Sequence, residues 1–296
     1  MPELPEVEVA ARALRRWTEG RTVASAEAEP SRIFRGADAR GFTALRGKVA
    51  SISRRGKYLM VAFEDGRGFV GHLGMTGKWV RRPGGHPEPY SKARLRLDSG
   101  EVLHYRDPRM FGRIEPAPAG ALSRVPAVAA LGVDPLVDGL DAARLKAALS
   151  DTSMDLKVAL MDQSRVAGLG NIYAAEALYR ARLHPARKPA SLSDAEWKVL
   201  SGAIHAALEF ALAQEDGDEI AYVEEPGAPN PFLVYGRKGE RCPACDTAFA
   251  SFTQGGRTTW YCPGCQPLRP VKPARKAKKA AAPARKTPTR AKRRTS

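Results

Sequence analysis

Two groups of residues in this sequence have the types and spacing to do chemistry. The first is the opening run Met1-Pro2-Glu3-Leu4-Pro5-Glu6. Pro2 is small enough to permit removal of Met1, which would expose a secondary amine. An α-amino group titrates at about 7.7–8.0, so a useful neutral fraction exists at physiological pH. Such an amine can attack a sugar C1′ or an aldehyde and form a Schiff base. A secondary amine gives a permanently cationic iminium, a good electron sink. Glu3 and Glu6 stand beside it. One can protonate a leaving group or a sugar oxygen, and the other can orient the amine. Taken alone, these six residues are better explained as an ordinary helix start, with Pro and Glu serving the cap.

The second group is metal-binding. All four cysteines fall in one pattern, Cys242-Pro-Ala-Cys245, sixteen residues, then Cys262-Pro-Gly-Cys265. Two CxxC knuckles so spaced match a four-cysteine zinc site. Four soft thiolates close a tetrahedral shell and leave no open position, so the expected cofactor is one structural Zn2+. A redox CxxC would not need the second pair. Phe249, Phe252, Gly255-Gly256, Trp260 and Tyr261 suggest a β-hairpin tipped by glycine, with Arg257 just past the tip. A cation there can reach a phosphate; a solvated loop charge is an equal reading.

Three further stretches invite a nucleic-acid reading. Gly168-Leu169-Gly170-Asn171 enters a helix, and such turns present backbone N–H groups to phosphate. A Rossmann reading fails, because Tyr173 replaces the third Gly and no strand precedes the turn. Lys57, after Arg54-Arg55-Gly56, opens a strand and can point into a cleft; a solvated basic turn is the commoner fate. Asp107-Pro108-Arg109-Met110-Phe111-Gly112 puts a cation and a large apolar group in a loop. Wedges of this kind hold DNA open when a base is extruded, and core packing is the alternative for Phe111.

These residues need elements to hold them. Residues 5–18 read as a helix, with Val7, Ala10, Ala11, Leu14 and Trp17 as its apolar stripe. Val49–Ser53, Tyr58–Phe63, Phe69–Leu73, Arg94–Asp98 and Val102–Tyr105 read as strands, with turns at Asp65-Gly66 and Ser99-Gly100. That suggests an antiparallel sandwich or barrel. Ala117–Pro126 reads as a linker. Asp141–Leu149, Asp155–Met161, Asn171–Arg182 and Ser193–Leu212 follow as helices, the last with a Ser193/Glu196 capping box. Asp216–Pro231 reads as a loop.

Composition narrows the class. The chain has 296 residues, 43% apolar, enough for a real core in two domains. No apolar run of about 18 residues is present, so a membrane span is not expected. The acidic opening does not resemble a secretory signal. The formal net charge is +16, but residues 269–296 carry +12 of it, with no acidic residue. Residues 1–120 carry +8 and residues 121–240 carry −5. A polyanionic partner, nucleic acid first, is expected. The Lys/Arg/Ala/Pro tail is expected to be disordered.

The motifs converge on one family. Pro2-Glu3-Leu4-Pro5-Glu6-Val7-Glu8, Gly56-Lys57-Tyr58-Leu59, His72-Leu73-Gly74-Met75-Thr76-Gly77, Asp107-Pro108-Arg109-Met110-Phe111-Gly112, and Leu160-Met161-Asp162-Gln163 running to Gly168-Leu169-Gly170-Asn171-Ile172-Tyr173 occur in order before the zinc module. From Met1 to Cys265 the sequence resembles the formamidopyrimidine-DNA glycosylase/endonuclease VIII family of base-excision enzymes, and Leu4 resembles the formamidopyrimidine branch. The resemblance implies an α+β fold: an N-terminal β-sandwich with a helix (1–116), a helix-two-turn-helix domain (127–240), a zinc finger (241–268) and a basic tail (269–296). It implies Pro2 as nucleophile, Glu3 as general acid/base, Glu6 as supporting carboxylate and Lys57 near the lesion. Asn171 and Arg257 match phosphate-binding residues. Met75, Arg109 and Phe111 match the residues that fill the gap left by the flipped base, and the resemblance implies Lys157 and His72 as further DNA contacts. The implied activity is a glycosylase/AP lyase for oxidised purines, acting on double-stranded DNA with a damaged base. A monomer in the bacterial cytoplasm, associated with the nucleoid, is expected. A preference for oxidised pyrimidines or abasic sites, or a non-catalytic DNA-binding zinc-finger protein, are the competing readings. Met110 stands where the family often has a second Arg, and Asp216–Phe232 departs from the usual lesion-recognition loop.

Overall fold

The computed structural model describes residues 2–214, 217, 219–220 and 229–268. The basic tail and most of the Asp216–Pro231 stretch lie outside the described residues. The first helix, α1, spans Leu4–Thr18. The Glu6 carboxylate accepts the Glu3 N–H at 2.7 Å, which satisfies a donor that the helix start leaves open. Pro5 lies in the first turn, and Arg15 and Arg16 lie in the last, at the negative end of the dipole. The expected stripe, Val7, Ala10, Ala11, Leu14 and Trp17, is buried.

Eight strands follow: β1 (Thr22–Ala28), β2 (Gly47–Arg55), β3 (Tyr58–Phe63), β4 (Arg67–His72), β5 (Lys78–Pro83), β6 (Ser91–Leu97), β7 (Glu101–Arg106) and β8 (Arg113–Pro118). A short helix, α2 (Asp38–Thr43), lies between β1 and β2. The hydrogen-bonded order is β5-β7-β6-β1-β2-β3-β4-β8. β1 and β2 share only the pairs Thr22–Lys48 and Val23–Gly47. The sheet folds over at that seam, so Trp79, Leu95, Leu103 and Tyr105 of one layer share a core with Leu59, Val61, Phe69 and Ile114 of the other. The Phe69 and Trp79 rings lie 6.1 Å apart across it. This is the sandwich, and α1 packs into the same core.

Three strands and α2 escaped the sequence reading, for physical reasons. β1 is mostly Ala, Ser and Glu, and its Glu27 faces Arg94 and Arg96 rather than an apolar layer. β5 and β8 are the outer strands of the order, and β8 contains Pro116 and Pro118, tolerable where one edge is unpaired. Ala117–Pro126 is therefore not a free linker. It begins in β8 and continues into a 3-10 turn, Ala119–Arg124, whose Leu122 packs with Val125, Val128, Ala62 and Val70.

The helical half contains α3 (Pro126–Ala129), α4 (Ala142–Leu149), α5 (Leu156–Met161), α6 (Asn171–Arg180) and α7 (Asp194–Gln214). The Asp141 carboxylate caps α4 by accepting the Arg144 N–H at 2.8 Å. The Ser193/Glu196 box is present: Ser193 N–H donates to Glu196 at 2.8 Å, and Glu196 N–H to the Ser193 hydroxyl at 3.3 Å. Tyr173, Leu178, Trp197, Leu200, Ile204 and Leu208 form a second core. Leu4 belongs to this second core although the rest of α1 lies in the first. The hairpin β9 (Ala250–Gln254) and β10 (Arg257–Tyr261) closes the fold. Gly255 and Gly256 turn it with φ of 54° and 70°, the left-handed pair of a type I′ turn.

A buried ion pair joins the halves. Arg54 of β2 donates to Asp134 Oδ2 at 2.6 Å and Oδ1 at 3.1 Å, and to Glu8 of α1 at 3.1 Å. Asp134 also accepts the N–H groups of Gly56, Leu136 and Val137. Both side chains are buried, and breaking such a pair leaves an uncompensated charge. Asp134→Ala is expected to lower stability by about 3–5 kcal/mol in urea unfolding. A change within about 0.5 kcal/mol, the range of ordinary surface substitutions, would contradict the joint.

Candidate active site

Glu3 crosses from the sandwich half to the helical half. Its carboxylate accepts the backbone N–H groups of Gly170 at 2.7 Å, Ile172 at 2.9 Å and Tyr173 at 3.2 Å. These are donors that the start of α6 leaves open, at the positive end of its dipole. The glycine-rich turn thus presents N–H groups to an anion as expected, but the anion is a carboxylate of this chain and not a phosphate. The two glycines have separate causes. Gly168 has φ of +96°, and a Cβ there would lie 2.6 Å from the Leu4 side chain. At Gly170 a Cβ would lie 2.4 Å from the Glu3 carboxylate and 2.6 Å from Lys57 Nζ. The Leu4 N–H donates to the Gly168 carbonyl at 3.0 Å, which fixes the segment entering α1 against the turn. Pro2 is buried immediately before this junction.

Glu6 lies behind Glu3. Burial raises its pKa, opposed by the Tyr173 hydroxyl, which donates to Oε1 at 2.5 Å. Lys57 is pulled down by burial, against the opposing charges of Glu3 and Glu6, and Arg257 lowers it further. Lys157 is buried in α5 and donates to the Asn171 carbonyl oxygen of the side chain and, at 2.9 Å, to the Thr259 hydroxyl of β10. Burial lowers its pKa to about 8. The Asn171 amide donates to the Thr258 carbonyl at 3.1 Å, so this side chain bridges α6 and the hairpin. Arg257 is exposed at the hairpin tip. Pro2, Glu3, Glu6, Lys57, Lys157, Asn171 and Arg257 therefore converge on one locus at the start of α6.

Met75 and the Arg109–Phe111 segment lie on two loops that meet, since a Cβ on Gly74 would lie 2.4 Å from the Phe111 backbone, while the His72 ring lies 4.9 Å from that of Tyr58. Burial and the charge of Lys57 lower the His72 pKa to about 4, so its ring is neutral. Its Nδ1 accepts the Gly74 N–H at 3.0 Å, which leaves the proton of the neutral ring on Nε2. Met75, Arg109 and Phe111 are exposed, and Phe111 is not a core residue. Asp107 ties their two loops together: it accepts the Thr76 hydroxyl at 3.0 Å and the Gly112 N–H at 2.8 Å. Sequence reasoning missed Asp107, Tyr173 and Thr259 as site residues. Asp107 had a local signal, since Asp before Pro favours an Asx turn. Tyr173 and Thr259 had none, because their partners are more than eighty residues away.

The four cysteine sulfurs lie within 4.8 Å of one another. Cys242 and Cys265 Sγ are 3.8 Å apart, and Cys245 and Cys262 Sγ 3.4 Å. A tetrahedron with Zn–S arms of about 2.3 Å has edges of about 3.8 Å, so the cage fits zinc. The Tyr179 hydroxyl of α6 lies 3.2 Å from Cys242 Sγ, where it can donate to a thiolate. The helix that seats Glu3 therefore also supports the metal module.

Comparisons with known proteins agree with this geometry. A family model described as the formamidopyrimidine-DNA glycosylase N-terminal domain matches residues 1–114, the H2TH domain of that glycosylase matches residues 131–221, and a zinc finger found in FPG and IleRS matches residues 239–268. The formamidopyrimidine-DNA glycosylase of Cytobacillus firmus is 39% identical over 274 residues, covering 90% of this chain and 100% of that protein. That of Thermus thermophilus is 37% identical over 90% of this chain and 98% of its own length. The crystal structure of the MutM (Fpg) protein from Thermus thermophilus superposes with a TM-score of 0.76 at 34% identity, covering 91% of this chain and all of that one. The complex of a Lactococcus lactis FPG mutant with Fapy-dG-containing DNA gives 0.80 at 30% identity, covering 90% and 100%. Fold and site define a zinc-finger DNA glycosylase of base-excision repair. The chain belongs to the formamidopyrimidine-DNA glycosylase family.

Two outcomes follow from the geometry. Gly170→Ala displaces the Glu3 carboxylate and Lys57 by an ångström or more, and strand cleavage of lesion DNA should fall by about 100-fold with the zinc retained. Cleavage within about twofold of the parent would contradict the packing argument. An ammonium attracts phosphate only while protonated, so a DNA contact by Lys157 requires that affinity hold below about pH 8 and fall above it. Lys157→Met should bind more weakly and remove that pH dependence; an unaltered profile would show that Lys157 does not contact the ligand.

Proposed function

We propose that the chain is a bifunctional glycosylase/AP lyase that removes oxidised purines, 8-oxoguanine and formamidopyrimidines, through a Schiff base on Pro2. The carrying observation is the Glu3 carboxylate, held by three N–H groups beside Pro2 and against Lys57. Removal of Met1 leaves the Pro2 amine as nucleophile. Its nitrogen bonds to C1′ while the bond from C1′ to the base breaks, and the proton shed by the amine leaves with the base. Glu3 relays a proton from solvent to O4′, the sugar ring opens, and a cationic iminium remains. Tyr173 and the buried Glu6 hold the Glu3 backbone in place. The iminium acidifies the C2′ hydrogen. Loss of that proton expels the 3′ phosphate, and a second elimination expels the 5′ phosphate, leaving a one-nucleotide gap with phosphate ends.

Lys57, Lys157, Arg257 and the Asn171 end of α6 hold the phosphates next to the extruded nucleotide, and neutral His72 donates from Nε2 to another. Met75, Arg109 and Phe111 fill the gap in the stack, where a damaged, weakly paired base is less costly to extrude. The purine preference rests on the Leu4 opening and on relatives whose structures carry Fapy-dG or carbocyclic 8-oxo-G DNA. The four thiolates hold one structural zinc that keeps Arg257 over the site. The enzyme acts as a monomer in the bacterial cytoplasm at the nucleoid, and the +12 tail adds sequence-independent DNA affinity. No helix among the described residues is long and apolar enough to cross a membrane.

The test is borohydride trapping on 8-oxoguanine duplex, with removal of Met1 verified by mass spectrometry. A covalent complex that maps to Pro2 and is lost in Pro2→Ala is expected. No adduct from the mature protein would refute the nucleophile. Adducts on thymine glycol duplex with none on 8-oxoguanine would refute the purine preference alone.

A further inference from the structure

Phe111 is carried by a strained turn, and the residue that holds this turn lies nearly eighty positions earlier in the chain. Met110 has φ of +53°, left-handed backbone that a non-glycine side chain rarely adopts. Such a conformation is costly for a non-glycine residue, and it persists only where its surroundings fix it. Asp107 fixes the two ends of the loop through Thr76 and the Gly112 N–H. The strained middle is held by Arg32. Its Nε donates to the Met110 carbonyl at 2.9 Å, and its Nη2 donates to the Arg109 carbonyl. Its guanidinium carbon also lies 4.9 Å from the centre of the Phe111 ring, with that of Arg109 at 4.8 Å. One planar fork therefore binds the carbonyls of the left-handed residue and of the one before it, and touches the ring that follows. Lysine, a single point donor, cannot reproduce that.

Arg32 is itself anchored. It follows β1 and precedes Ile33, which is fully buried and accepts the Ile114 N–H at 3.1 Å. Phe34 is also buried in the sandwich core. The guanidinium reaches the loop from a fixed base, although Arg32 and Phe111 are exposed.

We propose that Arg32 is a positioning residue for base extrusion: it presets the Phe111 wedge by clamping the Arg109–Met110 backbone and lying against the ring. The inference rests on the reading of Met75, Arg109 and Phe111 as the residues that enter the stack. It separates the eversion step from the chemistry. A rigid wedge loses less conformational entropy on entering DNA, so eversion is faster when the loop is preset.

The test uses the full chain with Arg32→Ala and Arg32→Lys, checked for unchanged zinc content and melting temperature. Eversion is read in stopped flow from 2-aminopurine placed beside 8-oxoguanine, and chemistry is read separately as cleavage of a preformed abasic site. Both variants should slow the fluorescence rise by about tenfold and leave abasic-site cleavage within about twofold, since no base remains to be pushed out. Both should keep the parent slope of affinity against salt to within about half a contact. Parent eversion rates in Arg32→Ala would overturn the proposal. So would rescue by Arg32→Lys with a salt slope reduced by about one in Arg32→Ala, the signature of a phosphate contact. Equal losses in eversion and abasic cleavage would also overturn it. The fluorescence step precedes any bond breaking, so failure of the Pro2 reading, seen as no trapped adduct in the parent, leaves this outcome measurable.

Discussion

The site depends on one carboxylate seated on one helix end. Glu3 belongs to the sandwich half by sequence, yet its oxygens are held by the first N–H groups of α6 in the helical half. Each of these bonds is charge-assisted, and together they satisfy donors that α6 would otherwise leave open. The consequences run both ways along the chain. Leu4 must leave the first core for the second, Gly168 must turn left-handed to admit it, and Gly170 must have no side chain. Pro2, the residue before Glu3, is buried at this junction. The buried Arg54–Asp134 pair keeps the halves in register and places the Gly56–Lys57 turn opposite the same helix end.

Charge is used sparingly around this junction. Burial lowers the pKa of both Lys57 and Lys157, and a neutral His72 sits beside Lys57. Clustered cations are costly without an anion, and here one carboxylate is fixed among them while Arg257 stays exposed to solvent. The +12 tail contributes most of the net charge but none of these groups. Net charge pointed to nucleic acid for the wrong segment; the chemistry belongs to a body whose charge is nearly balanced.

What the sequence showed and what it hid divide by the range of the interaction. The apolar stripe of α1, the Ser193 box, the glycine hairpin and the CxxC pairs are local patterns, and each appears where the periodicity or spacing puts it. β1 and β8 were hidden because their sequences, rich in Ala, Glu and Pro, are strands only through their neighbours. Within the site, the residue types at positions 2, 3, 6 and 57 were legible through motif order. Their joint geometry was not, because Glu3 meets Gly170 across 167 positions and Tyr173 meets Glu6 across the same span. The glycine turn is the instructive case: its anion-binding donors were read from sequence, while the occupant is the catalytic candidate itself.

The seating of Glu3 can be observed without substrate. Amide protons that donate to a carboxylate resonate downfield, and Glu3→Gln removes the charge while keeping the shape. In 15N-resolved spectra of the full chain, the amides of Gly170, Ile172 and Tyr173 should shift upfield together in Glu3→Gln, with the zinc-finger amides unmoved. If those three signals stay where they are in the parent, Glu3 does not sit on α6, and the account of the site is wrong.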